Sequence, residues 1–212
     1  MEKYESIDTK ITLSNYYNVM NAYKIISEFE KSMAEFVKSP YAVAVDSCTN
    51  ALFLCCCYHN VKNITIPSKT YVSVPCSIIH AGGSVSFENV EWKGSYQLKP
   101  YPIYDSACRI ARNMYSEGTF QCISFSGNKC LNIGKGGMIF TDNENAYKWF
   151  KLSRYEGREE VDLLEQEKFN VIGWNMYMTP EQAARGLSLI PYLKDDQMTC
   201  NEYPDLSKKL VL

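Results

Sequence analysis

Histidine is almost missing from this chain, and so is any long apolar run. Two histidines in 212 residues, with no Cys-x-x-Cys pair among nine cysteines, leave no ligand set at zinc spacing, so no metal centre is expected. No stretch approaches the roughly 20 apolar residues needed to cross a bilayer, and Met1-Glu-Lys-Tyr-Glu-Ser does not begin a signal peptide. The expectation is a cytoplasmic protein with no membrane partner. A surplus of one charge is absent as well: 22 basic against 24 acidic residues give a formal net charge of −2, which provides no electrostatic footprint for nucleic acid. The cysteines are odd in number, and Cys55, Cys56 and Cys57 are consecutive, which suits reduced, buried thiols better than a disulfide scaffold.

What is present is one sizeable core. At 46% hydrophobic, without internal repeats or a low-complexity linker, residues 1–212 read as a single domain. Met20, Tyr23, Ile26, Phe29 and Met33 recur every three or four positions and predict a helix over about 17–37. Strands are expected at 41–45, 63–66, 84–87, 101–104, 120–124 and 137–141, and helices at 51–58, 72–81 and 144–155. Alternating strands and helices imply an α/β fold with a mostly parallel sheet. The short link across Gly134–Gly137 allows one antiparallel strand. Residues 156–172 are charged, with a loop near Gly157, and Thr179-Pro-Glu-Gln starts a last helix.

Three stretches carry chemistry. In Ile123-Ser-Phe-Ser-Gly-Asn-Lys129-Cys-Leu-Asn-Ile-Gly134-Lys-Gly136-Gly137 a strand breaks into a polar turn bearing one lysine. An amine at the end of a buried strand, where desolvation can lower its pKa, suits Schiff-base chemistry with a carbonyl; the plain reading is a solvated loop charge. In Tyr101-Pro-Ile-Tyr104-Asp105-Ser-Ala-Cys-Arg-Ile-Ala111 a short strand ends in a carboxylate followed by small, helix-friendly residues. Ligands of open α/β sheets bind outside the carboxyl ends of strands, so Asp105 can share a site with Lys129, or can simply cap a helix. In Tyr41-Ala-Val-Ala-Val45-Asp-Ser47-Cys48-Thr49-Asn50 a strand runs through a small polar turn into a helix. Such a turn cradles an anion, and the same Ser47 or Thr49 would serve as an ordinary N-cap.

Together these stretches resemble the DegT/DnrJ/EryC1/StrS sugar aminotransferases, which carry pyridoxal phosphate on the fold-type I scaffold. The family's Ser-Gly-Thr-x-Ala-Leu turn is similar to Ser47-Cys-Thr-Asn-Ala-Leu52, and Pro-Ser-x-Thr-aromatic to Pro67-Ser-Lys-Thr70-Tyr71. Glu-Asp-Ala-Ala-Gln matches Tyr104-Asp-Ser-Ala-Cys108, and Phe-Ser-Phe-x-x-x-Lys matches Ile123-Ser124-Phe125 through Lys129. The Gly-Glu-Gly-Gly return corresponds to Gly134-Lys-Gly-Gly, and Gly-x-Asn-x-Arg-Met-x-x-x-Gln-Ala-Ala to Gly173-Trp-Asn175-Met-Tyr177-Met-Thr-Pro-Glu-Gln182-Ala-Ala.

The resemblance implies the large domain of that three-layer fold, with pyridoxal phosphate held on Lys129 and pyridoxamine phosphate as the alternate form. Asp105 would pair with the ring nitrogen, and Tyr71 would stack on the ring. Ser47, Cys48, Thr49 and Ser124 would surround the phosphate, Cys108 would lie beside the cofactor, and Asn175 would reach the phosphate of a second subunit. A homodimer that moves an amino group from an amino-acid donor to a nucleotide-linked keto-sugar follows from the same resemblance. The family's sugar dehydratases carry histidine at the position of Lys129.

Departures from the pattern are informative. Between Phe87 and Asp105 a short link replaces a family strand and helix, Cys108 stands for a glutamine, and Tyr177 stands for an arginine suited to a donor carboxylate. The small C-terminal domain of the family is expected to be missing. Two alternatives stand beside the aminotransferase: a homologue that binds the cofactor but has lost transamination, and a non-enzymatic α/β interaction module.

Overall fold

Apolar side chains alternating along the strands divide the molecule into two cores on either side of one sheet. The computed structural model describes residues 22–161, 163–199 and 202–209; the expected first turn of the N-terminal helix, 17–21, lies outside them. Strand β1 (Tyr41–Val45) sends Val43 and Val45 to one face and Ala42 and Ala44 to the other. β7 (Phe120–Ser124) and β8 (Gly137–Thr141) are buried on both faces along their whole lengths, as interior strands between helical layers must be.

The first core lies under α2 (Cys48–Tyr58), α3 (Ser73–His80) and α4 (Glu144–Ser153), and the second under α1 (Ala22–Val37) and α5 (Pro180–Leu189). This is a three-layer arrangement. α1 turns Ile26, Phe29, Met33 and Val37 inward, the stripe that a 3.6-residue repeat produces. α2 is apolar all round and buries Ala51 through Cys56, which places the three consecutive cysteines inside or against the core as reduced thiols. α5 begins with a capping box: the Thr179 side chain accepts from the Gln182 amide, and the Gln182 side chain accepts from the Thr179 amide.

The main sheet has the order β1-β8-β7-β5-β4, with β5 at Ile103–Asp105 and β4 at Tyr96–Gln97. β8 is antiparallel to both neighbours, while β7 and β5 are parallel. β2 (Asn63–Pro67) and β3 (Ser84–Glu88) pair in parallel and join the sheet where Thr65 and Lys99 exchange backbone hydrogen bonds of 2.9 and 3.1 Å. Because the Thr65–Lys99 pairing is antiparallel and β4 runs against β5, β1, β7, β5, β2 and β3 all point the same way. β8 is the full-length exception. The two-residue β4 is a second reversal, and it fills the sheet where the link after β3 is short.

Two expectations need correction. The strand expected at 101–104 begins only at Ile103, because Pro100 and Pro102 carry no amide proton for a ladder and Tyr101 closes a turn onto the Leu98 carbonyl. The helix-friendly residues after Asp105 form no helix. Arg109–Ala111 is instead strand β6, paired antiparallel with β9 (Asp196–Met198) and fastened by a bidentate contact of Arg109 on Asp196 at 3.0 and 2.9 Å.

Candidate functional site

The carboxyl ends of β1, β5 and β7 open on one cavity of about 720 Å³, and eight of the nine candidate residues line it: Ser47, Cys48, Thr49, Tyr71, Asp105, Cys108, Ser124 and Lys129. Each arrives from a local device. Ser47 follows β1 and caps α2, its Oγ accepting from the Asn50 amide at 3.2 Å, so the capping role is real, and the residue also lines the cavity. Thr49 donates to Ser73 Oγ at 2.8 Å, which ties the first turn of α2 to α3. β8 backs directly onto this turn: a Cβ on Gly137 would fall 2.4 Å from the Cys48 nitrogen and 2.6 Å from the Ser47 oxygen. Only glycine permits that approach.

Asp105 ends β5 and is 6% exposed. It caps no helix. One oxygen accepts from the Ala107 amide at 2.9 Å and the other from the Tyr96 hydroxyl at 2.9 Å. Burial pushes its carboxyl above the ordinary range, against the pull of those two donors and of the Lys129 charge. Tyr96 in turn hydrogen-bonds Thr70. Burial pushes the Tyr96 phenol up, with the Asp105 charge acting the same way. Tyr96 escaped the sequence reading because it belongs to the shortened link, where nothing local announces a partner nine positions ahead.

Lys129 closes a turn, its amide donating to the Ser126 carbonyl at 3.0 Å. Its Nζ lies 3.6 Å from Cys108 Sγ. Ser124 is 8% exposed at the end of β7, and its Oγ accepts from the Ser126 amide at 3.3 Å. A second amine, Lys135, also lines the cavity and sits 3.5 Å from Asp46. Tyr71 stands at the rim, 57% exposed. Trp92, Glu202, Tyr203 and Pro204 also line the wall; they lie outside every motif read from the sequence and come from segments with no periodic signal.

Asn175 is not among the lining residues. Its side-chain amide donates to Glu156 at 2.5 Å, and Tyr177 packs edge-on against Tyr155 at 5.0 Å. Among the described residues no group of histidine, cysteine and carboxylate side chains could hold a metal ion.

Comparison with known proteins gives this geometry a lineage. The chain is 24% identical over 224 residues to GDP-perosamine synthase of Caulobacter vibrioides, covering 84% of this chain and 59% of that protein. It is 25% identical to the spore coat polysaccharide biosynthesis protein SpsC of Bacillus subtilis, covering 81% and 58%. The chain thus spans a little under three fifths of the length of these relatives. Its fold is that of a solved Bacillus subtilis protein, NtdA with bound PMP, at a TM-score of 0.65 and 20% identity, over 80% of this chain and 48% of that one. A family model matches residues 4–105 and 111–202; the chain belongs to the DegT/DnrJ/EryC1/StrS aminotransferase family.

Proposed function

We propose that the cavity holds pyridoxal phosphate and that the protein acts as an aminotransferase, passing an amino group from an amino acid to a keto-sugar linked to a nucleotide. The observation that carries this reading is the convergence of the Lys129 amine, the buried Asp105 carboxylate and the Ser47–Thr49 turn on one cavity. The donor set fits the group: an amine for its carbonyl, a carboxylate for its ring nitrogen, and hydroxyls at a helix start for its phosphate. The names of the relatives, one for GDP-perosamine and one for a coat polysaccharide, support a nucleotide-linked sugar.

When bound, pyridoxal phosphate supplies a carbonyl that captures amines and a ring that accepts electrons from the adjoining carbon. The chain's own residues do the rest. Lys129 Nζ would hold the cofactor by its carbonyl and would supply the amine that accepts and returns the proton moved in the transfer. Asp105 would hold the ring nitrogen, and a cation there would favour its ionised form against the burial that raises its pKa. Cys48, within the Ser47–Thr49 turn, and Ser124 would stand beside the phosphate, Cys108 sits 3.6 Å from Lys129 Nζ, and Tyr71 would cover the ring. Asn175 acts on a second subunit, so the working form is a homodimer, and the setting is the cytoplasm; no described helix is long and apolar enough to cross a membrane.

Pyridoxal phosphate added to the protein is expected to give an absorbance band that Lys129→Ala abolishes; a band unchanged in that variant would remove the lysine from the reading. Asn175→Ala is expected to weaken cofactor binding in a protein that sizes as a dimer, and a monomer with cofactor bound would contradict that role. A second reading is favoured by one observation: Tyr177, packed on Tyr155, provides no cation for a donor carboxylate. A homologue that binds cofactor without transamination would show no conversion to pyridoxamine phosphate in single turnover with any amino acid.

A further inference from the structure

Tyr203 lies outside every motif that marks the cavity, yet it lines the cavity and reaches the thiol that touches the lysine. Its hydroxyl is 3.5 Å from Cys108 Sγ, and Cys108 Sγ is 3.6 Å from Lys129 Nζ. Cys108 is only 3% exposed. The Tyr203 ring stacks on Trp92 at 6.0 Å and 16° and leans on Tyr71 at 6.2 Å. Trp92 is itself fixed, its indole N–H donating to the Lys69 carbonyl at 2.8 Å.

The chain just beyond Tyr203 is pinned. Asp205 bridges to Lys69, the Leu206 amide donates to the Ser68 carbonyl at 2.8 Å, and the Leu206 side chain is buried at 4% exposure. A second cavity of about 620 Å³ lies beside the first, and Trp92, Cys108 and Tyr203 line both. The Trp92–Tyr203 stack is therefore part of the wall between them. A stacked ring with two rotatable bonds, held on a buried anchor, forms such a wall at small entropic cost.

We propose that Tyr203 is a further positioning residue of the Lys129 site: it roofs the Cys108–Lys129 pair, keeps water from the amine, and confines a bound acceptor beneath its ring. Water exclusion strengthens every electrostatic contact of the amine, and the roof limits the bulk of acceptor that can approach it. The proposal rests on the aminotransferase reading of the cavity, but the thiol-rate part of its test does not depend on cofactor.

The test is the rate at which iodoacetamide alkylates Cys108 in cofactor-free protein, mapped by mass spectrometry with Cys76 as internal reference. Relative to Cys76, the rate is expected to rise at least about tenfold in Tyr203→Ala and to stay within about twofold of wild type in Tyr203→Phe, because thiol reactivity follows exposure. Leu206→Ala, which releases the anchor without touching the cavity, should move the rate in the same direction. With pyridoxal phosphate bound, hydroxylamine should strip the absorbance faster from Tyr203→Ala than from wild type or Tyr203→Phe, the rate being taken per bound cofactor. Equal Cys108 rates in Tyr203→Ala and wild type, or an equal rise at Cys76, would overturn the roof. A wild-type protein that takes up no cofactor overturns the aminotransferase reading instead, and the thiol rates then still judge the roof.

Discussion

Asp105 is buried with two neutral donors, the Ala107 amide and the Tyr96 hydroxyl, on its oxygens. Burial raises its pKa above the ordinary 3.8, so the folded protein binds its proton more tightly than the unfolded chain. Below 3.8 both states are protonated. As pH rises from there to the raised folded value, stability falls, and above that value the full cost of a buried carboxylate persists. Asp105→Asn keeps an acceptor for Ala107 and presents an amide to Tyr96. The variant should melt higher than wild type without cofactor at neutral pH, by about 2–4 °C for each ~1 kcal/mol recovered in a chain of this size, with a flatter pH profile. It should also lose catalysis, since an amide cannot neutralise a ring cation. Lower melting would mean that the carboxylate is stabilising rather than held for function.

At the scale of elements, the cavity is made where strands stop and close contacts replace side chains. Gly137 starts β8 against the Ser47–Cys48 turn, with room for no Cβ. Gly137→Ala must push the turn away, and overpacking of this kind costs about 1–3 kcal/mol. The expected result is a modest drop in melting temperature with a much larger loss of pyridoxal phosphate affinity, measured by absorbance titration; unchanged affinity would place the phosphate elsewhere. The turn, the lysine strand and the aspartate strand were legible because each is a contiguous run whose composition changes sharply. The strand after Asp105 was not, since β6 forms by pairing with residues 196–198, and small residues that suit a helix accept a strand when a partner is provided.

Across the whole molecule, a buried ion cluster fastens the helical layers to the strand that carries the Ser47–Thr49 turn. Arg154, 2% exposed, contacts Glu30 and the Ala44 carbonyl and reaches Glu160 at 2.8 Å, while Glu30 accepts from the Ala44 amide at 2.8 Å. Burial alone would raise the Glu160 carboxyl, but Lys151 and Arg154 hold it below its ordinary value. Arg154→Ala strips the guanidinium from buried Glu30 and leaves it Lys151, 3.2 Å away, a loss of up to about 3–5 kcal/mol readable by denaturant titration. Adding Glu30→Gln should recover part of it; a double variant no more stable than the single one would show that the charge is not the cause.

The sequence by itself determined most of the long strands and helices and which runs supply the amine, the carboxylate and the small polar turn, because hydrophobic period and turn composition are properties of neighbours along the chain. Only the tertiary structure decided that β8 lies between β1 and β7, that Tyr96 meets Asp105, that Arg154 meets Glu30, and that Tyr203 comes to rest against Cys108. Those contacts join residues from nine to well over a hundred positions apart, and they depend on sheet order and register, which no local pattern encodes.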